Sequence, residues 1–308
     1  VQFGLGVWRF LRANRDSFDI VHTHAFPFFG ALAAERALRG SGVPIVVDWV
    51  EVWPQAYWRE YAGPVAGRAG AALQARTARI PQRALISSDL HRQRLLGLGV
   101  RGRVDLISGL YDGDIEPSPR PMRRPPTIVF AGRHIPEKRV TAIPAAIALA
   151  KRYIPDLEAE ILGDGPDRAT LLLEIERHGL EDAIHAPGFV NVDVVERAIG
   201  SAACLLLPSV REGYGLVVAE AAARGTPSVV VNAPDNAAME LVEPGVNGMI
   251  AQSSDPLDLA RAIIDAVRGG DELRQRTSAW ANARGDDLTV RGSIRKVLEV
   301  YREVRIPT

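Results

Sequence analysis

Short apolar runs of four or five residues alternate along this chain with longer segments whose apolar positions recur at helical spacing. In the first third the runs are Ile20–His24, Ile45–Asp48, Ala84–Ser87 and Val104–Ile107. After residue 126 the alternation restarts. Strands are expected at 127–131, 158–162, 183–186, 203–207 and 228–231, and helices at 137–152, 166–178, 191–200 and 216–224. Regular strand–helix alternation argues for parallel βαβ units. Three terminal helices are expected at 255–269, 271–283 and 290–304. Between the two halves, Asp112–Pro126 (DGDIEPSPRPMRRPP) is proline-rich and nearly devoid of apolar side chains, so it reads as an interdomain linker.

The 308 residues, 47% hydrophobic and 24% charged, suffice for two domains with separate cores. A formal net charge of zero gives no reason to invoke nucleic acid. The single cysteine, Cys204, lies in an apolar run and reads as a small core residue; nothing demands an oxidising compartment. No apolar run approaches membrane-spanning length, and no signal-peptide pattern opens the chain, so the cytoplasm is the expected location. The zero charge hides an asymmetry, with eight arginines and one acid, Asp89, between residues 62 and 104. If Ala66–Ile80 is helical, Arg68, Arg76 and Arg79 share one face, close to Arg83 and downstream of Trp53, Tyr57, Trp58 and Tyr61. Two readings stay open: a surface meeting anionic lipid at the inner face of the membrane, or a solvated helix face in an arginine-biased chain.

The richest stretch is CLLLPSVREGYGLVVAEAAARGTPSVVV, residues 204–231. It reads as strand, loop, helix and strand, with Glu212 in the loop at the carboxyl end of the first strand and Glu220 just over one turn into the helix. Ligands bind at that end of a parallel sheet, where a helix N-terminus offers free N–H groups and the positive end of its dipole. A phosphate at Gly215–Val217 would be flanked by carboxylates able to accept hydrogen bonds from sugar hydroxyls. Upstream, the strand 127–131 runs into Gly-Arg-His-Ile-Pro-Glu-Lys, which brings Arg133 and Lys138 to a strand end. Arginine grips phosphate bidentately, and lysine adds a compact point charge. A glycoside hydrolase with two carboxylates is disfavoured, because it has no diphosphate for these cations to hold.

These motifs, an E-G-Y-G loop with a second Glu eight positions on and the GRHIPEK turn, resemble the retaining, nucleotide-sugar-dependent glycosyltransferase family four. The ILGDG turn at Ile161–Gly165 and the PGFV segment at Pro187–Val190 extend the likeness over roughly residues 19 to 250. The resemblance implies an α/β GT-B fold: two doubly wound Rossmann-like domains facing a cleft. Residues 1–115 would form an acceptor-side domain, 116–288 the donor domain, and 289–308 a helix crossing back to the first. It implies that Arg133 and Lys138 hold the donor diphosphate, Glu212 orients the sugar hydroxyls, and Glu220 holds the ribose. Gly132, Gly163, Phe189, Val190, Gly213, Tyr214, Gly215, Leu216 and Val217 would complete the donor site. The reaction implied is transfer with retention, without a covalent enzyme nucleophile, from a UDP- or GDP-sugar to a cell-envelope, lipid-linked or small-molecule acceptor. No cofactor and no metal are implied.

His22 and His24 alternate with Val21 and Thr23 and point to one face, yet no third metal ligand is near in sequence. His24 reads either as an acceptor-side residue or as a structural, hydrogen-bonded histidine. Two departures from the family stand out. Its histidine after the second strand is replaced by Val50 in DWVEVW; either the valine favours a 6-deoxy donor sugar, or Glu51 takes over the polar contact. Only 18 residues precede Asp19-Ile20-Val21, where the family has a first strand and glycine-rich loop, and the chain opens with Val. The expectation is a fragment or processed chain, or a truncated first domain. Two further readings remain: a non-catalytic nucleotide-sugar-binding or partner protein, and another GT-B enzyme such as a sugar-nucleotide epimerase.

Overall fold

The computed structural model describes residues 2–305. They form two compact units, one made of the chain up to Gly109 plus the segment from Val290 onward, the other running from Leu110 to Thr289. In the first unit α1 (Gln2–Asn14), β1 (Val21–His24), α2 (Phe29–Leu38), β2 (Ile45–Trp49), α3 (Gln55–Ala78), β3 (Arg83–Ile86), α4 (Asp89–Gly97) and β4 (Val104–Leu106) follow in order. The strands pair in parallel as β1-β2-β3-β4. Because side chains alternate across a strand, Ile45, Val47, Trp49, Ala84 and Ile86 fall into one core cluster. Val46 and Leu85 fall into another, on the opposite face, with Val300 of the C-terminal helix.

α3 is broken at Gly63, where φ is 79° and ψ 172°, and Pro64 starts the second half as a first-turn proline can. The first half folds back so that Trp58 lies on a glycine step: a Cβ on Gly67 would sit 2.3 Å from the Trp58 carbonyl oxygen, and one on Gly70 would sit 2.5 Å from the Trp58 ring. Arg68, Arg76 and Arg79 are exposed along this element and its end. Arg83 is not part of that face. It lies on β3 with its guanidinium bonded to Asp105 and Glu303, which takes its charge out of the exposed arginine set.

The second unit carries β5 (Thr127–Ala131), α5 (Ile143–Ala150), β6 (Glu158–Leu162), α6 (Arg168–Arg177), β7 (Ile184–Gly188), α7 (Val192–Ser201), β8 (Cys204–Leu207), β9 (Arg211–Glu212) and α8 (Leu216–Ala223). β10 (Ser228–Val231), β11 (Asp235–Asn236), β12 (Gly248–Ala251), α9 (Pro256–Ala283) and α10 (Gly285–Leu288) complete it. Six parallel strands run β12-β10-β8-β5-β6-β7, and β9 pairs separately with β11. β8 and β10 are buried at every position, which explains their unbroken apolar sequence. Finally α11 (Val290–Arg305) returns to the first unit, presenting Val297, Val300, Tyr301 and Val304, one helical face, to its sheet.

Several expectations are corrected. The helix placed at 137–152 begins only at Ile143; two 3-10 turns precede it, parted by Arg139 in the left-handed region with φ 51°. The two helices at 255–269 and 271–283 form one span broken at Gly270 (φ 48°, ψ −142°). Glu212 lies on the short strand β9 and not in an irregular loop. The proline-rich stretch is not a free linker. It is pinned along the second unit, with the Glu116 N–H donating to the Ala223 carbonyl at 2.8 Å and the Arg123 N–H to the Ser201 carbonyl at 2.8 Å. Proline removes donors but leaves carbonyls, and one of these, on Arg120, accepts from Arg274 at 2.9 Å.

Arg274 is the principal buried charge of this unit, 1% exposed. Besides Arg120, its guanidinium donates to the carbonyls of Ala202 and Gly200 and to the Thr226 hydroxyl. Burial lowers its pKa, while Asp271, Glu116 and Cys204 act in the opposite sense. Among the described residues no helix is long and apolar enough to cross a membrane. Replacing Arg274 with Met keeps volume but strands several buried carbonyls. Arg274→Met should lose roughly 3–5 kcal/mol of stability, read from the urea midpoint, with the Pro119–Arg120 segment becoming protease-sensitive.

Candidate active site

The turns after β5 and β6 interlock through backbone alone. The Gly132 N–H donates to the Leu162 carbonyl at 3.0 Å, the His134 N–H to the Asp164 carbonyl at 2.8 Å, and the Asp167 N–H to the His134 carbonyl at 3.0 Å. Such close approach admits no side chain: a Cβ on Gly163 would lie 1.9 Å from the Gly132 oxygen, and one on Gly165 2.4 Å from the His134 oxygen. Both glycines also take positive φ, +129° and +153°. A cavity of about 440 Å³ opens beside this junction.

That cavity lies at the carboxyl ends of β5 and β6. It collects Gly132, Arg133, Gly163, Phe189, Val190, Leu216, Val217 and Glu220 from positions scattered over some ninety residues of sequence. Arg133 is exposed at its edge, and Phe189, 82% exposed, presents a ring to solvent. Glu220 projects from the second turn of α8. Burial raises its pKa above the ordinary 4.5, opposed by Arg224 and reinforced by Glu196. Arg224, itself 6% exposed, bonds Glu196 at 2.7 Å and the Glu220 carbonyl at 2.9 Å, so it braces the helix beneath that carboxylate. α8 starts at Gly215 with φ 93°, where a Cβ would meet the Ala238 Cβ at 2.5 Å. Its first two residues, Leu216 and Val217, line the cavity, and the amides of a first helical turn have no partner within the helix.

Five expected site residues lie outside this lining. Tyr214 and Gly215 are buried beneath the loop, because the β9–β11 pairing turns Tyr214 into the core; it is 7% exposed, and burial raises its phenol pKa. Lys138 and Glu212, with Gly213 beside them, are not at the cavity wall. Their side chains pair with each other at 2.5 Å and are 18% and 10% exposed. The loops that carry them are strapped by the Val210 N–H donating to the Glu137 carbonyl at 2.9 Å. Of the two expected cations, Arg133 lines the cavity, whereas Lys138 is paired with Glu212 outside that lining.

Sequence reasoning missed His134, which is fully buried and has no hydrogen-bond partner within the protein for either ring nitrogen. Burial and Arg168 lower its pKa from 6.5, opposed by Asp164 and Asp167, so the ring is neutral near pH 7 and packs against Phe130. Its only sequence signal was its place between Arg133 and Lys138. Cys204 is a core thiol pushed up to about 12 by burial and has no nucleophilic role.

In the first unit a second cavity, about 300 Å³, joins His24, Val50 and Glu51, the three acceptor-side candidates. His24 Nδ1 lies 3.5 Å from Asp48 Oδ2, while His22 Nδ1 meets the Tyr301 hydroxyl at 2.5 Å. The two histidines thus serve different partners. Among the described residues no group of three or more side chains has the composition of a metal site.

Two parallel-sheet units, the second with a cationic and carboxylate-lined cavity at its strand ends, define an α/β fold of the GT-B class. The chain belongs to the family Glycosyl transferases group 1, whose model matches residues 114–284; a Glycosyl transferase 4-like domain matches residues 1–109. It is 28% identical over 193 residues to a D-inositol 3-phosphate glycosyltransferase of Nocardioides, covering 58% of this chain and 42% of that protein. It is 28% identical over 182 residues to the alpha-D-kanosaminyltransferase of Streptomyces kanamyceticus, covering 58% and 46%. The match thus spans less than half the length of either relative. Anabaena HepE, solved in complex with UDP, shares the fold at a TM-score of 0.75 and 18% identity, covering 98% of this chain and 82% of that one.

The glycine interlock gives a sharp contrast between substitutions. Gly163→Ala should cost several kcal/mol and abolish the second unit's cooperative unfolding, because a methyl cannot share space with a backbone oxygen. Gly179→Ala, at φ +62° with open space around it, should cost only about 1–2 kcal/mol. Thermal denaturation of the two variants measures both.

Proposed function

We propose that this chain transfers a sugar, with retention, from a nucleoside diphosphate sugar bound in the cavity of the second unit. The observation that carries the reading is the convergence there of Arg133, the α8 N-terminus and the half-buried carboxylate of Glu220. Transfer breaks the bond between the anomeric carbon and the diphosphate while a bond forms to an acceptor oxygen. Negative charge grows on the leaving phosphate as the sugar becomes oxocarbenium-like, and the acceptor's proton passes to a phosphate oxygen. Preorganised cations and amide dipoles aimed at that phosphate stabilise the transition state more than the ground state. In this reading Arg133 and the amides of Leu216 and Val217 take that role; Glu220 accepts from ribose hydroxyls, and the Phe189 ring offers a flat apolar surface to the base.

Lys138 reaches the diphosphate by exchanging its carboxylate partner for phosphate. That exchange frees Glu212 to accept hydrogen bonds from the donor sugar, so the two events are coupled. Support comes from the ion pair itself and from the family's name; a UDP complex of the same fold, HepE, is consistent with it. Titration with UDP, GDP and dTDP, followed by the rise in unfolding temperature, tests donor binding, since a ligand that binds only the folded state stabilises it by mass action. No shift with any of the three would overturn the reading.

Two outcomes follow for named residues. Arg133→Ala should weaken binding of the diphosphate by about 1.5–3 kcal/mol, the range for charged hydrogen bonds. Glu212→Gln should leave bare diphosphate affinity unchanged or improved, because Lys138 is released, yet lower turnover of the sugar-bearing donor. Calorimetry and product release separate the two effects, and a wild-type kcat in Glu212→Gln would remove the sugar-orienting role.

The raised pKa of Glu220 sets a pH dependence. A carboxyl whose folded pKa exceeds 4.5 binds its proton more tightly in the folded protein, so its stabilising contribution is complete below 4.5 and lost as pH rises through the folded value. Nucleotide binding needs the opposite form, the ionised acceptor. Affinity should therefore fall on acidification through the raised pKa, and Glu220→Gln should flatten that limb of the profile.

A further inference from the structure

The 300 Å³ cavity of the first unit is walled by aromatic rings. Phe28 and Trp58, each 7% exposed, form its floor; Trp53 stands beside Trp58 with ring centroids 4.7 Å apart; Phe26, 68% exposed, and Val50, 59% exposed, stand at its mouth. Two of the polar side chains that reach it, Gln74 and Glu51, are engaged with Trp53. Gln74 uses both ends of its amide on the Trp53 backbone, accepting from N–H at 3.0 Å and donating to the carbonyl at 2.8 Å. Glu51 accepts from the Trp53 indole N–H at 2.7 Å. His24, its side chain 69% exposed, brings a polar group to the rim without being tied to Trp53, and on the floor the buried Trp58 indole N–H has no partner among the described residues.

We propose that this cavity binds an acceptor whose hydroxyl is carried on an apolar, ring-sized body, the ring lying against Trp53, Trp58, Phe28 and Val50 and the hydroxyl meeting His24. Naming the ligand an acceptor rests on the glycosyl-transfer reading above; the chemistry of the pocket does not. A polyhydroxylated acceptor would lose water from several hydroxyls against walls that are mostly aromatic rings, which is unfavourable for each one left without a partner. An apolar ring gains wherever it removes surface from water. The volume is about twice that of a cavity known to take one benzene ring, which suits a body of one to two rings. The walls are fixed in advance, since the glycine step at Gly67 and Gly70 seats Trp58 and the Gln74 amide locks the Trp53 backbone. Little is left to order on binding.

Isothermal titration of the full chain with 2-naphthol, myo-inositol and farnesyl phosphate tests the assignment, with Val50→Asp and Phe26→Ala as variants at exposed positions where folding is preserved. Saturable naphthol binding is expected, weakened at least tenfold in Val50→Asp and severalfold in Phe26→Ala, with no saturable heat from myo-inositol. Binding of myo-inositol, absence of naphthol binding, or naphthol binding indifferent to both variants overturns the proposal. Tighter binding of farnesyl phosphate than of naphthol overturns the ring-sized ligand in favour of an extended chain. The same samples titrated with UDP, GDP and dTDP keep the two readings apart: naphthol bound without any nucleotide supports this pocket while sinking the donor-site reading.

Discussion

Everything at the donor-side cavity depends on two backbone turns being able to touch. After β5 and β6 the chain leaves the sheet with the Gly132 oxygen pressed to the Gly163 Cα and the His134 oxygen to that of Gly165. Direct backbone contact draws the two strand ends together beside the cavity, where Gly132 and Gly163 form part of the lining. The same device recurs at Gly215, whose positive φ turns the chain into α8 against Ala238. In each case the absence of a Cβ sets where N–H groups point, and these are the groups a phosphate would use.

Charge inside the second unit is handled in contrasting ways. Arg274 is enclosed, and its two terminal nitrogens donate to carbonyls and a hydroxyl while Nε has no partner, so it acts as a clamp across Gly200, Ala202, Thr226 and the proline-rich segment. Lys138 and Glu212 are only partly buried and satisfy each other. An ion pair at the surface of a site is cheap to exchange for another of the same sign pattern, whereas a clamp with several enclosed partners is not. One arrangement belongs to the fold; the other is the pair proposed to open for the donor.

The first unit shows how a local sequence irregularity becomes a surface. Gly63 and Pro64 interrupt a helix that composition alone would continue, and the fold-back places Trp58 against Gly67, Gly70 and Phe28. Aromatic residues that read along the chain as a cluster beside an arginine face instead build a walled cavity. The arginine face loses Arg83 to Asp105 and Glu303 for a related reason: an ion pair between a strand and a distant helix is invisible to helical spacing.

Most of the strand and helix order, the parallel character of both sheets and the placement of Arg133 at a strand end and Glu220 on the following helix were legible in the sequence, because each follows from side-chain periodicity or from local turn chemistry; the return of the last helix was implied only by the family likeness. The family likeness was carried by the same short motifs. What only the tertiary structure decided were the partners of charges and the accessibility of loops. Lys138 meets Glu212 across seventy-four positions, Tyr214 turns into the core once β9 pairs with β11, and the proline-rich stretch is pinned by carbonyl contacts to Arg274 and by amides to Ala223 and Ser201. Periodicity reports which face of an element is buried. It carries no information on which distant group will lie opposite, because that is fixed by packing between elements rather than within them.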